Sequence, residues 1–533
     1  MIIQRKVAKL KKLLVVAVPG MYGIATPWKR IEDEFLRLNV FTDREVTWCF
    51  FPHGVKALSR TRLDDVARNL GAEISQRWQH DHGYDEVILV GHSIGALLAR
   101  KAWLDSIDSR QGNEYAPASW GVAVSRFVLF AGLSRGVDME TSLGRRIFSR
   151  ALEFLPGRFS SEDVHRGSVF ITNLRISWMR LMAELPSEAR PVCVQLLGTR
   201  DTVVAREDSI DVDVFPTSRT ISIPNASHGD LHLLGGKDGM EGRIDVFVSA
   251  FTSTLAAGSR AAVIDSTPNQ RILMVVHGIR ATRTDEWLKY SKKIAKENWP
   301  DVKVVTPTYG FLSAFRFVIP SVRKRYARFF RDFYTEVICR NRDARIYVLC
   351  HSNGTYALGH CLQEFQAISV ERVALAGSVL PTDYPWSSLI DRKQVLSVRN
   401  DCASRDFPVA LLCSALRGLG MRDIGTGGFN GFFGGAVEEV RYHPGGHGAM
   451  LKESNLDSML RYLLNDEEAG EPVKLIDDVP KMRRLSRAMP LLTVVLVATA
   501  VFGVSVGVSA HGWWFATSLI LIVAFVFVFL DIY

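Results

Sequence analysis

Short apolar runs recur along this chain at intervals that suit a strand followed by a helix. Leu13–Val18 (LLVVAV) opens the series, with a helix around Trp28–Leu38, a second strand at Val46–Phe51 (VTWCFF) and a helix over Arg60–Trp78. A third strand, Val87–Val90, runs into Gly91 and an Ala- and Leu-rich helix from Ile94 to Arg100. Further strands are predicted at Phe127–Ala131, Val192–Leu197 and Thr220–Ile223, with a mixed insert at about 133–186 and a helix around Ile244–Thr254. Strands separated by helices imply right-handed crossovers and a mostly parallel sheet covered on both faces. After a polar linker, 257–270, the pattern restarts: strand Ile272–Val276, helix Glu286–Asn298, strands Val302–Val305 and Ile346–Leu349, then a helix to about Phe365. The restart is a repeat of architecture and predicts two tandem domains, 1–256 and 271–470.

The far end of the chain obeys a different pattern. Pro490–Ala510 and Trp513–Leu530 carry no charge and are each long enough to cross a hydrocarbon core as a helix. With His511-Gly512 between them, 490–533 reads as a transmembrane helical hairpin behind a basic juxtamembrane segment, 471–489. Gly503 and Gly507 offer a face for close helix packing, and Trp513-Trp514 suits the interface at the turn. Lys481, Arg483, Arg484 and Arg487 flank the first span, which puts the preceding chain in the cytoplasm by the positive-inside rule.

Composition narrows the class. The 533 residues are 47% hydrophobic and 23% charged, with a net charge of +9, partly from clusters at Arg5–Lys12, Arg323–Arg331 and Lys481–Arg487. None is interleaved with the aromatic and Gly pattern of an RNA-binding sheet, so an anionic membrane surface is favoured over nucleic acid. Seven cysteines without a C-x-x-C pair form neither a zinc site nor a disulfide framework and suit a reducing compartment. Leu13–Val18 is shorter than an export signal requires and is read as a first buried strand.

Chemistry concentrates at the strand–helix junction Gly91-His92-Ser93-Ile94-Gly95. A strand that reverses into a helix within one tight turn strains its middle residue, needs small flanking residues, and lifts the serine hydroxyl to the carboxyl edge of the sheet. Ser93 is therefore the candidate nucleophile. Asp201, in GTRDTVV, follows a strand, and His228, in NASHG, follows the next, giving the chain order Ser, Asp, His. His228 would take the proton from Ser93, and Asp201 would hold the imidazole in the right tautomer. A turn aspartate and a loop histidine would each fit singly; order and strand ends together favour the triad, with Asp208 in reserve for Asp201.

These residues, with Arg166–Leu174 (RGSVFITNL), resemble the α/β-hydrolase family of lipases and esterases over about Leu13–Thr254. The resemblance implies oxyanion donors at the backbone N–H groups of Met21 and Ile94, although Pro19-Gly20 stands where His-Gly is usual. In the second half, Cys350-His351-Ser352-Asn353-Gly354 is a second elbow, with Cys for the first Gly. Its expected partners are Asp401 and His447, with Asp406 and His443 competing, and its expected oxyanion donors are the amides of Asn353 and Ile279.

Two other segments admit a lipid-facing and a packed reading. Phe311–Ile319 with the basic run after Pro320 reads as an interfacial lid or as a core helix with a solvated basic face, and Gly427–Gly435 (GGFNGFFGG) as an acyl-site lining or a packed loop. The reading as a whole is α/β: two tandem α/β-hydrolase domains and a transmembrane hairpin, hydrolysing carboxylic esters, lipid or acyl esters above all, at a bilayer. No metal or organic cofactor is required. The alternatives are a membrane scaffold or sensor that keeps the fold without the chemistry, and a thioesterase or peptidase using the same triad.

Overall fold

The structure is a computed structural model and describes residues 10–81, 83–111, 120–138, 160–204, 208, 215–234, 242–253, 269–278, 286–307, 314–341, 343–434, 437, 439–465 and 479–511. The chain divides into two compact units: Met1–Asp265 with Tyr334–Arg342, and Ser266–Phe333 with Asp343–Tyr533.

In the first unit, β1 (Lys11–Val18), β2 (Arg44–Phe50), β3 (Glu86–His92), β4 (Val124–Phe130), β5 (Val192–Gly198) and β6 (Ser218–Ile223) form one sheet. Its order is β2-β1-β3-β4-β5-β6, and every pair is parallel. Helices cover both faces: α1 (Thr26–Arg37), α2 (Leu63–His80), α3 (Ile94–Gln111), α4 (Val169–Glu184) and α5 (Arg243–Thr252). The pleat sorts β1 between them. Leu14, Val16 and Val18 pack with Ile74 of α2, Leu97 of α3 and Trp178 of α4. Leu13, Val15 and Ala17 meet Trp28 and Phe35 of α1 and Phe247 of α5 on the opposite face. Ser168, within RGSVFITNL, caps α4 by accepting from the Ile171 amide at 3.1 Å. The insert therefore contributes a core helix; its middle, 139–159, lies outside the described residues.

The second unit repeats the topology. β7 (Arg271–Val276), β8 (Lys303–Val305), β9 (Arg345–His351), β10 (Val370–Ala376), β11 (Val395–Ala403) and β12 (Glu439–His443) lie in the order β8-β7-β9-β10-β11-β12, all parallel. Flanking helices include α6 (Glu286–Asn298), α7 (Pro320–Arg340), whose end from Tyr334 onward counts with the first unit, α8 (Asn353–Glu364), α9 (Ser414–Gly418) and α10 (Glu453–Leu464). Of the two segments with a lipid-facing and a packed reading, residues 311–313 and Gly435 lie outside the described residues; among the rest Phe317 and Phe429 are buried, while Ile319 and Phe433 are exposed. Arg323 is 0% exposed and ion-paired to Asp423 at 3.0 Å, and Arg331 reaches Glu364 at 3.2 Å, whereas Lys324 in the same run is exposed. Phe429 is fully buried, and Phe432 stands edge-on to Trp386.

The last described element, α11 (Pro480–His511), is one long apolar helix. It begins ten residues before the predicted span and passes through Pro490, so the basic segment expected at 471–489 is helical from Pro480 onward. The second apolar run, Trp513–Leu530, lies outside the described residues, and the expected hairpin is represented by this single helix.

Candidate active site

The elbow forms where β3 ends. Gly91 is required because a Cβ there would come within 2.5 Å of Ala96, and Gly95 because one would lie 2.1 Å from the Val18 carbonyl. The middle residue bears the strain: Ser93 has φ +55°, a left-handed conformation that costs an L-residue roughly 1–2 kcal/mol. Its amide donates to the Phe130 carbonyl at 2.9 Å, which pins the turn to β4.

Three side chains distant in sequence meet on this edge. Ser93 Oγ lies 2.9 Å from His228 Nε2, and His228 Nδ1 lies 3.0 Å from Asp201 Oδ2. Asp201 also accepts, through Oδ1, the amides of Val203 at 2.7 Å and Val204 at 3.0 Å. Burial alone would raise its pKa, but the hydrogen bond and charge of His228, with these two amides, outweigh it and hold the carboxyl below its usual range. Asp208, the reserve acid, is instead paired with Arg166 at 2.6 Å. The amides of Met21 and Ile94 have no hydrogen-bond partner among the described residues, and Gly20, next to Met21, lies against His92 and Ser93.

Three histidines that the motifs left unassigned brace this arrangement. His92 Nε2 lies 2.8 Å from the His228 carbonyl oxygen, while its ring stacks on His232 at 4.1 Å; His232 in turn stacks on Trp28 at 5.4 Å. Burial lowers the His92 pKa to about 4 and that of His232 to about 3, so both stay neutral, and a neutral His92 donates to the carbonyl. His53 bonds the Pro19 carbonyl through Nε2 at 2.9 Å and accepts the Val55 amide, which fixes the Pro19-Gly20-Met21 turn from behind. Gly20 is obligatory in that turn: a Cβ would lie 2.7 Å from His92 Nδ1. Only contact across the sheet edge reveals these roles; the one local signal was the placement of His92 inside the pentapeptide.

The second unit assembles most of the same parts with one correction. Ser352 has φ +53° and is buried, and a Cβ at Gly278 would come within 2.6 Å of it. His447 Nδ1 pairs with Asp406 Oδ2 at 2.7 Å, not with the expected Asp401. Asp401 is fully buried and already saturated, taking a bidentate contact from Arg399 at 2.8 and 3.0 Å and His443 at 2.7 Å. It sits within β11, whereas Asp406 lies past the strand end, where a carboxylate can face a loop histidine. His443 is thereby a structural partner of Asp401. The brace recurs, with His351 Nε2 lying 3.3 Å from the His447 carbonyl oxygen. Among the described residues no hydrogen bond joins Ser352 Oγ to His447. Asn353, the expected oxyanion donor, is fully buried at the start of α8, and Ile279 lies outside the described residues. Cys350, fully buried, occupies the position where Gly91 in the first elbow has no room for a Cβ.

No protein-family model matches the chain, and no curated protein does. Among solved structures, it is similar to phospholipase PlaB from Legionella pneumophila at 15% identity over 35% of this chain and 39% of that one, TM-score 0.26. It is similar to a monoacylglycerol lipase of Paleococcus ferrophilus at 13% identity over 45% and 96%, TM-score 0.30. A third is the RedJ thioesterase of the prodiginine pathway in Streptomyces coelicolor, at 14% identity over 45% and 85%, TM-score 0.26. The chain thus spans well under half the length of the Legionella phospholipase. Lipases, esterases and thioesterases of α/β-hydrolase architecture are what it is similar to.

Proposed function

We propose that the chain is a membrane-anchored serine hydrolase of carboxylic esters, with Ser93, His228 and Asp201 as its working triad. The observation that carries this reading is the continuous relay from Ser93 Oγ through both ring nitrogens of His228 to Asp201, at 2.9 and 3.0 Å. Ser93 attacks the ester carbonyl carbon as its proton passes to His228 Nε2. The tetrahedral oxyanion rests on the Met21 and Ile94 amides. His228 then protonates the departing alcohol, and the acyl group remains on Ser93. Water, deprotonated by His228, attacks this acyl-enzyme, and collapse returns the proton to Ser93 Oγ with release of the acid. Asp201 stays ionised and steadies the imidazolium.

Unit two runs the same chemistry through Ser352, His447 and Asp406, with Asn353 and Ile279 as donors. A second reading, in which this unit is a structural copy, rests on the absence of a Ser352–His447 bond among the described residues; the catalytic reading has that bond tighten when substrate binds. The bare apolar surface of α11 supports a bilayer anchor, and thus lipid or acyl esters as substrates; the basic residues at its start support a cytoplasmic orientation. A fluorophosphonate probe tests the proposal. Labelling of the full chain lost in Ser93→Ala assigns the first site, residual labelling lost in Ser352→Ala assigns the second, and an unlabelled wild type leaves a scaffold. Graded oxygen esters, thioesters and amides then separate esterase from thioesterase and peptidase.

A further inference from the structure

The start of α11 is part of the second unit's core. Val479 and Met482 pack on a cluster containing Val409, Ala410 and Leu416. Arg483 is 7% exposed, its guanidinium over the rings of Phe429 at 5.2 Å and Tyr442 at 5.4 Å. Ser486 is buried and bonds Ser414 at 3.2 Å. At Gly418 the two backbones touch: a Cβ there would lie 2.4 Å from the Pro490 carbonyl oxygen. Beyond that contact the helix is bare, with Leu491 69%, Leu496 66% and Phe502 70% exposed.

The sequence fixes where a bilayer can begin. Leu491–Ala510 carries no charge, and at a rise of 1.5 Å per residue its span is about 30 Å, the thickness of a hydrocarbon core. Sliding the helix one turn deeper would drag Arg487 into hydrocarbon, and sliding it outward would drag in His511. The hydrocarbon edge therefore lies at Pro490–Leu491, level with Gly418. The next residues on the unit's surface are Leu419, 49% exposed, Gly420 in a left-handed turn (φ +88°), Met421 and exposed Arg422. Lys481, Arg484 and Arg487 line the exposed side of the helix, with Arg487 about 5 Å and Arg484 about 9 Å above Pro490, within the headgroup layer.

We infer that the second unit docks rigidly on an anionic phospholipid surface through the Leu419–Arg422 corner, with Leu419 at the hydrocarbon edge and Arg422, Arg484 and Arg487 among the headgroups. The inference rests on the anchor reading of α11 and adds an orientation: span and unit move as one body, because Gly418 and Pro490 leave no slack. The complement is apolar at the edge and positive above it, which a neutral or protein partner does not match as well.

All seven cysteines are buried, so a single introduced cysteine takes a thiol-reactive, polarity-sensitive fluorophore selectively. The full chain is reconstituted in nanodiscs containing phosphatidylserine, with labels at Leu419→Cys, at Phe502→Cys in mid-span, and at Leu396→Cys, an exposed site (53%) on the same unit. The expected result is a blue-shifted label at 419 quenched by lipids bearing a nitroxide near the headgroup, a label at 502 quenched by nitroxide deep in the chain, and no quenching at 396. Leaving out phosphatidylserine should reduce quenching at 419 about two-fold. A 419 label as wet as the 396 label, with 502 in lipid, overturns the docking while the anchor stands. A 502 label in water overturns both. Quenching at 419 that is indifferent to phosphatidylserine removes the anionic-lipid part.

Discussion

The two buried acids of the second unit should fail in opposite ways when neutralised. Asp401→Asn removes the charge facing Arg399, which is 2% exposed and reaches the carboxylate at 2.8 and 3.0 Å. Breaking such a buried pair costs about 3–5 kcal/mol, because the surviving guanidinium has no water to turn to. Asparagine keeps one acceptor oxygen, so the lower end, about 3 kcal/mol, is expected; at 2–4 °C per kcal/mol for a unit this size, Tm should fall by roughly 6–12 °C. Asp406→Asn is milder for the fold. Its Oδ1 accepts the Val409 amide at 3.0 Å, a bond asparagine retains, and only the oxygen facing His447 Nδ1 at 2.7 Å becomes a donor. That donor forces the tautomer with the proton on Nε2, which cannot take one from Ser352, and the equivalent change in a serine protease costs on the order of 10⁴ in kcat. Both variants are made in a Ser93→Ala background, so that fluorophosphonate reports Ser352 alone, and their melting is followed in parallel. Asp401→Asn is expected to melt early, and Asp406→Asn to melt normally while labelling at least about 10³-fold more slowly. An Asp401→Asn protein that melts like its parent but no longer labels, beside an Asp406→Asn protein that labels at full rate, would refute the assignment.

Other consequences follow from the first unit. His92→Phe keeps a stacking ring but loses the bond to the His228 carbonyl, worth about 1–1.5 kcal/mol, and should slow labelling of Ser93 about ten-fold, with recovery in His92→Gln; equal rates would reduce His92 to filler. Neutral His92 and His232, at about 4 and about 3, lie below the ordinary 6.5 of an unfolded histidine. The unfolded chain therefore binds their protons first as pH falls, and stability present above pH 6.5 is lost from there down to about pH 4 for His92 and about pH 3 for His232, at about 1.4 kcal/mol per pH unit for each. Asp201, with its carboxyl held low, contributes in the same direction, but its share is lost only as pH falls through and below the ordinary carboxylate range. Urea midpoints should thus fall between pH 7 and 5, less steeply in His232→Phe; flat midpoints contradict the assignment. Gly95→Ala should abolish labelling and destabilise by about 1–3 kcal/mol, since its Cβ would lie 2.1 Å from the Val18 carbonyl. Gly71→Ala, with open space at mid-α2, should be neutral or stabilising, and similar melting curves for the two would remove the close-approach argument.

The strands and the elbow were legible because local pattern dictates them. Leu13–Val18 and Val87–Val90 are apolar on both faces, as only a covered parallel sheet permits, and the glycines of GHSIG announce the close approach that Ala96 and Val18 impose. The meeting of Ser93, His228 and Asp201 could be read for the same reason: Asp201 and His228 lie just past strand ends, which parallel strands carry to one edge. In the second half that rule was applied too early. Asp401 lies inside β11, where its side chain is confined to the sheet's own face, and it answers to Arg399 two residues back; Asp406, five residues further on, has left the sheet and can turn to His447. A strand's end, not the nearest acidic letter, decides which carboxylate reaches the histidine. The braces at His92 and His53 depend on a partner 136 residues away and on one 34 residues away, and no window along the chain contains both members of such a pair. The helix start was missed for a related reason. Lys481–Arg487 reads as a basic flank, yet Arg483 and Ser486 fall one turn apart on the face that the second unit buries, while Lys481, Arg484 and Arg487 meet solvent. A charge run on a helix therefore says how many positions are basic, while the packing partner decides which of them remain available to a lipid surface.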